Sequence, residues 1–309
     1  MRILVTGGAG YIGCVLVPVL LENGYSVLVL DNLTYGGTGL LPHFRNPRFE
    51  FIHGDIRDAR VVRDSLNGCD AIIHLAAIVG LPACRKNPDL AQSVNVDGTR
   101  VIAQATGRDR LVLFGSTGSN YGALADKLCT EETPLNPASL YGKTKTAAES
   151  ILRQDCNTIA YRFATAFGVS PRMRLDLLVN DFVYTALRMR CLVIYEAHFM
   201  RTFIHVHDIA RSFLFGIENA LRMQGQVFNV GSEEMNCTKA QVCEMIRRKV
   251  DYYLHYADVG EDGDRRNYVV SYQKIKSCGY GTTISLESGI DELVRAVRVL
   301  NGNNPYSNA

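Results

Sequence analysis

Tyr141 and Lys145, in the stretch YGKTK, stand four residues apart within SLYGKTKTAAESILRQ, a segment of helical pattern. That spacing puts both side chains on one face of a helix, about one turn apart. A tyrosine with its ordinary pKa near ~10 is a poor base at neutral pH, but a close ammonium favours the phenolate. Each unit of lowering corresponds to about 1.4 kcal/mol. A solvated helix surface also carries Tyr and Lys at this spacing, so the pair gains meaning from its surroundings. Those are a Ser/Thr-rich strand end, FGSTGSNYG at residues 114–122, and a glycine-rich turn near the start of the chain.

The turn reads TGGAGYIG, with Gly7, Gly10 and Gly13 flanking Tyr11 and Ile12. It lies between the strand-like run RILVT and the helical run that follows. Glycines there permit positive φ and let the backbone approach a pyrophosphate, while the helix N-terminus offers free N–H groups and partial positive charge. Asp31 ends the next strand-like run, SVLVL, about twenty residues later, where an acid accepts both hydroxyls of an adenosine ribose and repels a 2′-phosphate. With Asn32 beside it, this favours NAD over NADP. The positive nicotinamide ring of the oxidised cofactor adds to the pull of Lys145 on Tyr141.

The elements that position these residues alternate. CDAIIHL, RLVLFG and TIAYRF read as strands; DLAQSVNVDGTRVIAQA and the segment holding Tyr141 read as helices. Near-continuous apolar strands between helices predict an α/β fold: a Rossmann-type doubly wound parallel sheet, with a smaller C-terminal α/β substrate domain. The NAD-binding domain is expected over residues 1–165, with a returning segment at about 201–232. The substrate domain takes residues 166–200 and 233–309, and a cleft between the two is the expected site.

Composition narrows the function classes. A 309-residue chain with 47% hydrophobic residues builds a real core, and a formal charge of +2 leaves no electrostatic footprint for nucleic acid or an acidic membrane. Nine cysteines without a C-x-x-C pair argue against a disulfide framework and for a reduced, cytoplasmic setting. His205 and His207 alternate on a strand but lack a third ligand nearby, so no metal is expected.

The motifs TGGAGYIG, DNL, GDIRD, HLAA, NVDGT, YGKTK, RTFIHVHDIA and SLESGI run along almost the whole chain. In them the chain resembles an extended short-chain dehydrogenase/reductase of the nucleotide-sugar epimerase and dehydratase kind. The resemblance implies that Asp55 and Ile56 contact adenine, that Leu75, Ala76, Ala77 and Asn95 belong to the cofactor site, and that Thr117, four residues before the Tyr-Gly pair, is the third catalytic group. Tyr141 would then take a sugar hydroxyl proton, Thr117 would hydrogen-bond that oxygen, and Lys145 would hold the ribose. It further implies substrate contacts from Val79, Gly80, Ser119, Thr165, Arg174, Asn180, Arg201 and either Arg265 or Arg266, with guanidinium groups on the diphosphate. Thr165 replaces an Asn usual in the family, which touches one substrate contact.

Family members that eliminate water resemble one another in carrying a Glu or an acid pair after the catalytic Thr; this chain has Gly118 and Ser119 there. Oxidation and re-reduction of the sugar remain, as an epimerase or as a one-way dehydrogenase or ketoreductase. SPRMRLDLLVNDF and AAIVGLPACRKNP resemble enzymes acting on nucleotide-linked heptoses, which stay beside hexoses as candidate substrates. The resemblance also implies a homodimer through the helices holding residues 91–105 and 141–152.

Overall fold

The computed structural model describes residues 1–122, 128–258, 267–300 and 308. Seven strands, β1 (Arg2–Thr6), β2 (Ser26–Asp31), β3 (Phe49–His53), β4 (Ala71–His74), β5 (Leu111–Thr117), β6 (Asn157–Phe163) and β7 (Val227–Val230), make one sheet. Their order is β7-β6-β5-β4-β1-β2-β3, and every neighbouring pair is parallel. This is the doubly wound Rossmann architecture. The apolar runs follow from it, because both faces of each central strand are covered: Ile3, Val5, Val27 and Val29 enter one core, while Leu4, Leu28 and Leu30 enter the other. Each such side chain contributes about 1.5–3 kcal/mol on full burial.

Helices Gly13–Glu22 and Val206–Glu218 cover the first face, through Leu16, Leu20, Ile209 and Phe213. Ala59–Ser65, Thr99–Thr106 and Leu140–Asp155 cover the second, through Val62, Ile102, Ala148 and Leu152. The last of these starts where Ser139 accepts the N–H of Gly142 at 3.0 Å, a cap typically worth about 1 kcal/mol. The single helix expected over residues 89–105 is instead two helices, Pro88–Gln92 and Thr99–Thr106, joined by a widened π-type turn, Ser93–Gly98.

The C-terminal half builds its own core from helices Leu178–Met189, Lys239–Arg247 and Leu286–Val297, which share Val183, Val242, Ile246, Ile290 and Leu293. Strands Thr165–Phe167, Met200–His205 and Asn236–Thr238 form a small sheet beside it. Within the returning segment, Val227–Val230 joins the large sheet and Val206–Glu218 covers it, whereas Met200–His205 stays outside. His205 ends that strand, accepts the N–H of His207 and places Nε2 2.6 Å from the Glu292 carboxylate. All nine cysteines are free thiols. Among the described residues no helix is long and apolar enough to cross a membrane, and no three metal-ligating side chains converge.

Candidate active site

The strand order reverses between β1 and β4, and a cleft of about 770 Å³ opens there, above the carboxyl ends of the strands. Its floor is the glycine turn. Gly7 has φ +73°, and a Cβ there would lie 2.5 Å from the backbone nitrogen of Ala76; a Cβ at Gly13 would lie 2.4 Å from the Gly8 carbonyl oxygen. Only glycine fits both positions. The helix beginning at Gly13 has no side-chain cap; the N–H groups of Cys14 and Val15 bond the Gly10 and Ile12 carbonyls at 2.9 and 3.1 Å, so what this end offers an anion is the glycine turn before them and the partial positive charge of the helix.

At the far end of the floor, the Asp31 carboxylate accepts the N–H of Ala9 at 3.0 Å and that of Leu33 at 2.8 Å. Leu33 adopts φ +56°, a left-handed conformation uncommon for leucine, while its N–H meets Asp31. Burial raises the Asp31 pKa, and the Leu33 and Ala9 N–H groups pull it back. Asn32 donates to Asp55 at 3.2 Å, and Arg57 bonds that carboxylate at 2.9 and 2.7 Å, holding its pKa down to about 2. The glycine cradle, the uncapped helix end and the acid at the end of β2 together fit a dinucleotide.

The opposite wall carries Thr117, Tyr141 and Lys145, which all line the cleft. Thr117 ends β5, and its Oγ1 accepts the Ser119 N–H at 3.1 Å. Lys145 is 3% exposed, with Nζ 4.0 Å from the centre of the Phe114 ring. Burial pulls its pKa down to about 7, against the opposing pull of Glu149 one turn along the helix. Glu149 is buried in an ion pair with Arg162 at 2.7 Å and accepts from Ser116 at 2.6 Å and Asn120 at 3.1 Å. That network ties the helix Leu140–Asp155 to β5 and β6.

A model of the NAD dependent epimerase/dehydratase family matches residues 3–231. The chain belongs to that family. Among relatives of this epimerase/dehydratase chain is the low-salt glycan biosynthesis protein Agl12 of Haloferax volcanii, 31% identical over 95% of this chain and 97% of its own. A UDP-glucose 4-epimerase from Thermotoga maritima, solved with UDP-glucose, superposes with a TM-score of 0.85 at 27% identity, covering 96% of this chain and 99% of that one. DesIV, a dTDP-glucose 4,6-dehydratase from Streptomyces venezuelae solved with NAD, gives 0.85 at 28% identity over 99% of both chains. The cofactor of this epimerase/dehydratase is therefore NAD.

The cleft gathers most of the residues singled out in the sequence: Gly7, Gly10, Tyr11, Ile12, Gly13, Asp31, Asn32, Asp55, Ile56, Leu75, Ala76 and Ala77 at the cofactor end, with Val79, Gly80, Ser119, Thr165 and Arg174 further along. Three others lie elsewhere. Asn95 is buried behind the wall, its amide accepting the Ile78 N–H at 2.7 Å and donating to the Ile78 carbonyl at 2.9 Å and Thr144 at 3.0 Å. Asn180 is spent likewise on Gly168 N–H at 3.0 Å and the Arg174 carbonyl at 2.8 Å. Arg201, 2% exposed, lies in a small pocket behind Thr165 and donates to the Met200 carbonyl at 3.2 Å. Arg265 and Arg266 lie outside the described residues. His74 of HLAA is beneath the floor, bonded to Thr6 at 2.7 Å and Thr99 at 3.0 Å, with burial pushing its pKa down to about 3.

Tyr35 and Arg85 line the cleft without having been singled out in the sequence, while Arg172, like Arg174 in SPRMR, is expected from sequence to reach a larger sugar or the phosphates. Tyr35 and Arg172 stand in loops, where neither period nor motif marks direction, and Arg85 stands in the short helix Leu81–Lys86.

Proposed function

We propose that the protein is an NAD-dependent nucleotide-sugar 4-epimerase acting on a nucleoside-diphosphate hexose or heptose. The observation that carries this reading is where the acids stand. Among the described residues lining the cleft, the carboxylates are Asp31 and Asp55, both at the adenosine end. Beside Thr117 the chain places Gly118 and Ser119, which offer no carboxylic acid to protonate a departing hydroxyl. The likeness to the Thermotoga maritima 4-epimerase supports the same choice.

In this reading Tyr141 takes the proton from the C4 hydroxyl, and Thr117 donates a hydrogen bond to the oxygen as it becomes a carbonyl. Lys145 holds the phenolate form of Tyr141 by its charge and, with the cleft wall, excludes water. NAD, when bound at the glycine turn, would supply the acceptor and donor of the C4 hydride. With the 4-keto sugar turned over in the cleft, so that the other face of C4 is reduced, Tyr141 gives the proton back to the C4 oxygen.

The test is a nucleotide sugar deuterated at C4, followed by NMR and by absorbance of reduced nicotinamide. Deuterium retained at C4 of an inverted product, without stoichiometric reduced cofactor, is expected. Accumulating reduced cofactor with a 4-keto product would make the enzyme a dehydrogenase, and a 6-deoxy-4-keto product would make it a dehydratase.

A further inference from the structure

Arg172 belongs to the substrate half by sequence but is fastened to the cofactor turn. The Tyr11 hydroxyl donates to the Gly168 carbonyl at 2.7 Å, and the Ser170 hydroxyl donates to the Tyr11 carbonyl at 2.7 Å. Pro171, the residue before Arg172, meets Cys14 at Gly39, where a Cβ would lie 3.1 Å from Pro171 Cβ and 2.6 Å from the Cys14 sulfur, in the first turn of the helix that begins at Gly13. These contacts bring Arg172 beside the first turn of that helix.

The guanidinium lies 4.7 Å from the centre of the Tyr35 ring, on the loop that follows Asp31. It is 9% exposed and lines the cleft. Its hydrogen bond within the described residues goes from Nη1 to the Met173 carbonyl at 3.0 Å. Among those residues it forms no ion pair, whereas Arg174 two residues on is held by Asp176 at 2.6 Å. Burial and the neighbouring Arg174 lower the Arg172 pKa, as expected of a buried cation short of counter-charge. A guanidinium in that state has donors left for an anion and gains more from one than an exposed arginine does.

The cleft that it lines is also lined by Gly10, Ile12 and Gly13 of the glycine turn and by Tyr35 and Gly36. A dinucleotide places its pyrophosphate at such a helix end. We propose that Arg172 closes over the pyrophosphate of NAD, so that the substrate half of the chain clamps the cofactor and keeps it resident through turnover. The inference rests on NAD binding and not on the choice of epimerisation. A substrate diphosphate is the competing anion, but the fastening to Tyr11, the place beside Cys14 and the stacking on Tyr35 favour the cofactor end.

The test compares the unaltered protein with Arg172→Gln and Arg172→Ala, each checked for folding by thermal melting. Three readouts are taken: NAD retained after gel filtration, the dissociation rate of NADH by stopped-flow fluorescence, and UDP affinity by calorimetry. Both variants are expected to lose bound NAD and to release NADH at least tenfold faster, with UDP affinity changed less than twofold. If Arg172→Ala fails to fold, the near-isosteric Arg172→Gln carries the test. NADH release at the unaltered rate in Arg172→Gln would overturn the proposal, as would a loss of UDP affinity larger than the loss of NAD affinity.

Discussion

Lys145 carries its charge where water is nearly absent, and the protein is less stable for it. Its pKa falls from 10.5 in the unfolded chain to about 7 in the fold, because burial disfavours the ammonium more than Glu149 restores it. Below pH 7 both states hold the proton and the cost of burying it is fully present. Between 7 and 10.5 only the unfolded chain holds it, so stability rises with pH through that window. Lys145→Met should therefore melt at a higher temperature than the unaltered protein at pH 6, with the gain shrinking at pH 9, while activity is lost. A gain independent of pH between 6 and 9 would mean that Lys145 keeps its proton in the fold throughout. Functional groups held at a cost in stability are a common trade. The identity of this residue was legible in YGKTK, because four-residue spacing on a helix fixes a shared face. Its burial was not, since that depends on Phe114 and Cys84 arriving from other segments.

At the scale of elements, the widened turn Ser93–Gly98 shows what periodicity hides. An extra residue in one turn shifts the apolar pattern that follows, yet each half still reads as helix, so the segment looks continuous in sequence. Asn95 lies in that turn, and its amide braces the floor loop at Ile78 against the helix Leu140–Asp155 at Thr144. Asn95→Ala would leave the Ile78 N–H and carbonyl buried without this partner. A loss of about 1–3 kcal/mol in urea unfolding is expected, with weaker NAD binding because Ala76 and Ala77 lose their support. Unchanged NAD affinity in a destabilised variant would confine Asn95 to folding. The central strands, by contrast, were legible to within about two residues, because runs buried on both faces leave little choice of composition, whereas the edge strand Phe49–His53 was not singled out.

At the scale of the molecule, the Rossmann half and its cofactor end could be read from one segment after another, but the joining of the halves could not. Tyr11 and Gly168, or Tyr11 and Ser170, meet across more than 150 residues of sequence. Asn180 and Arg201 were singled out from motif positions; whether such side chains face a ligand or a carbonyl is decided by how the C-terminal helices pack. Tyr11→Phe removes a hydroxyl that bridges the halves at 2.7 Å. It should lower stability by about 0.5–1.5 kcal/mol and speed NADH release, read from melting and stopped flow; a stable variant that releases NADH at the original rate would make the bridge incidental. The place of β7 has a consequence for how the molecule is made. β7 pairs with β6, but residues 164–226 must be synthesised between them. At about 5–20 residues per second the edge of β6 stays bare on the ribosome for several seconds, a strand built for burial and open to strangers. A gene cut after residue 165 would yield that bare edge permanently, so the two halves of the chain are inherited, translated and completed as one object.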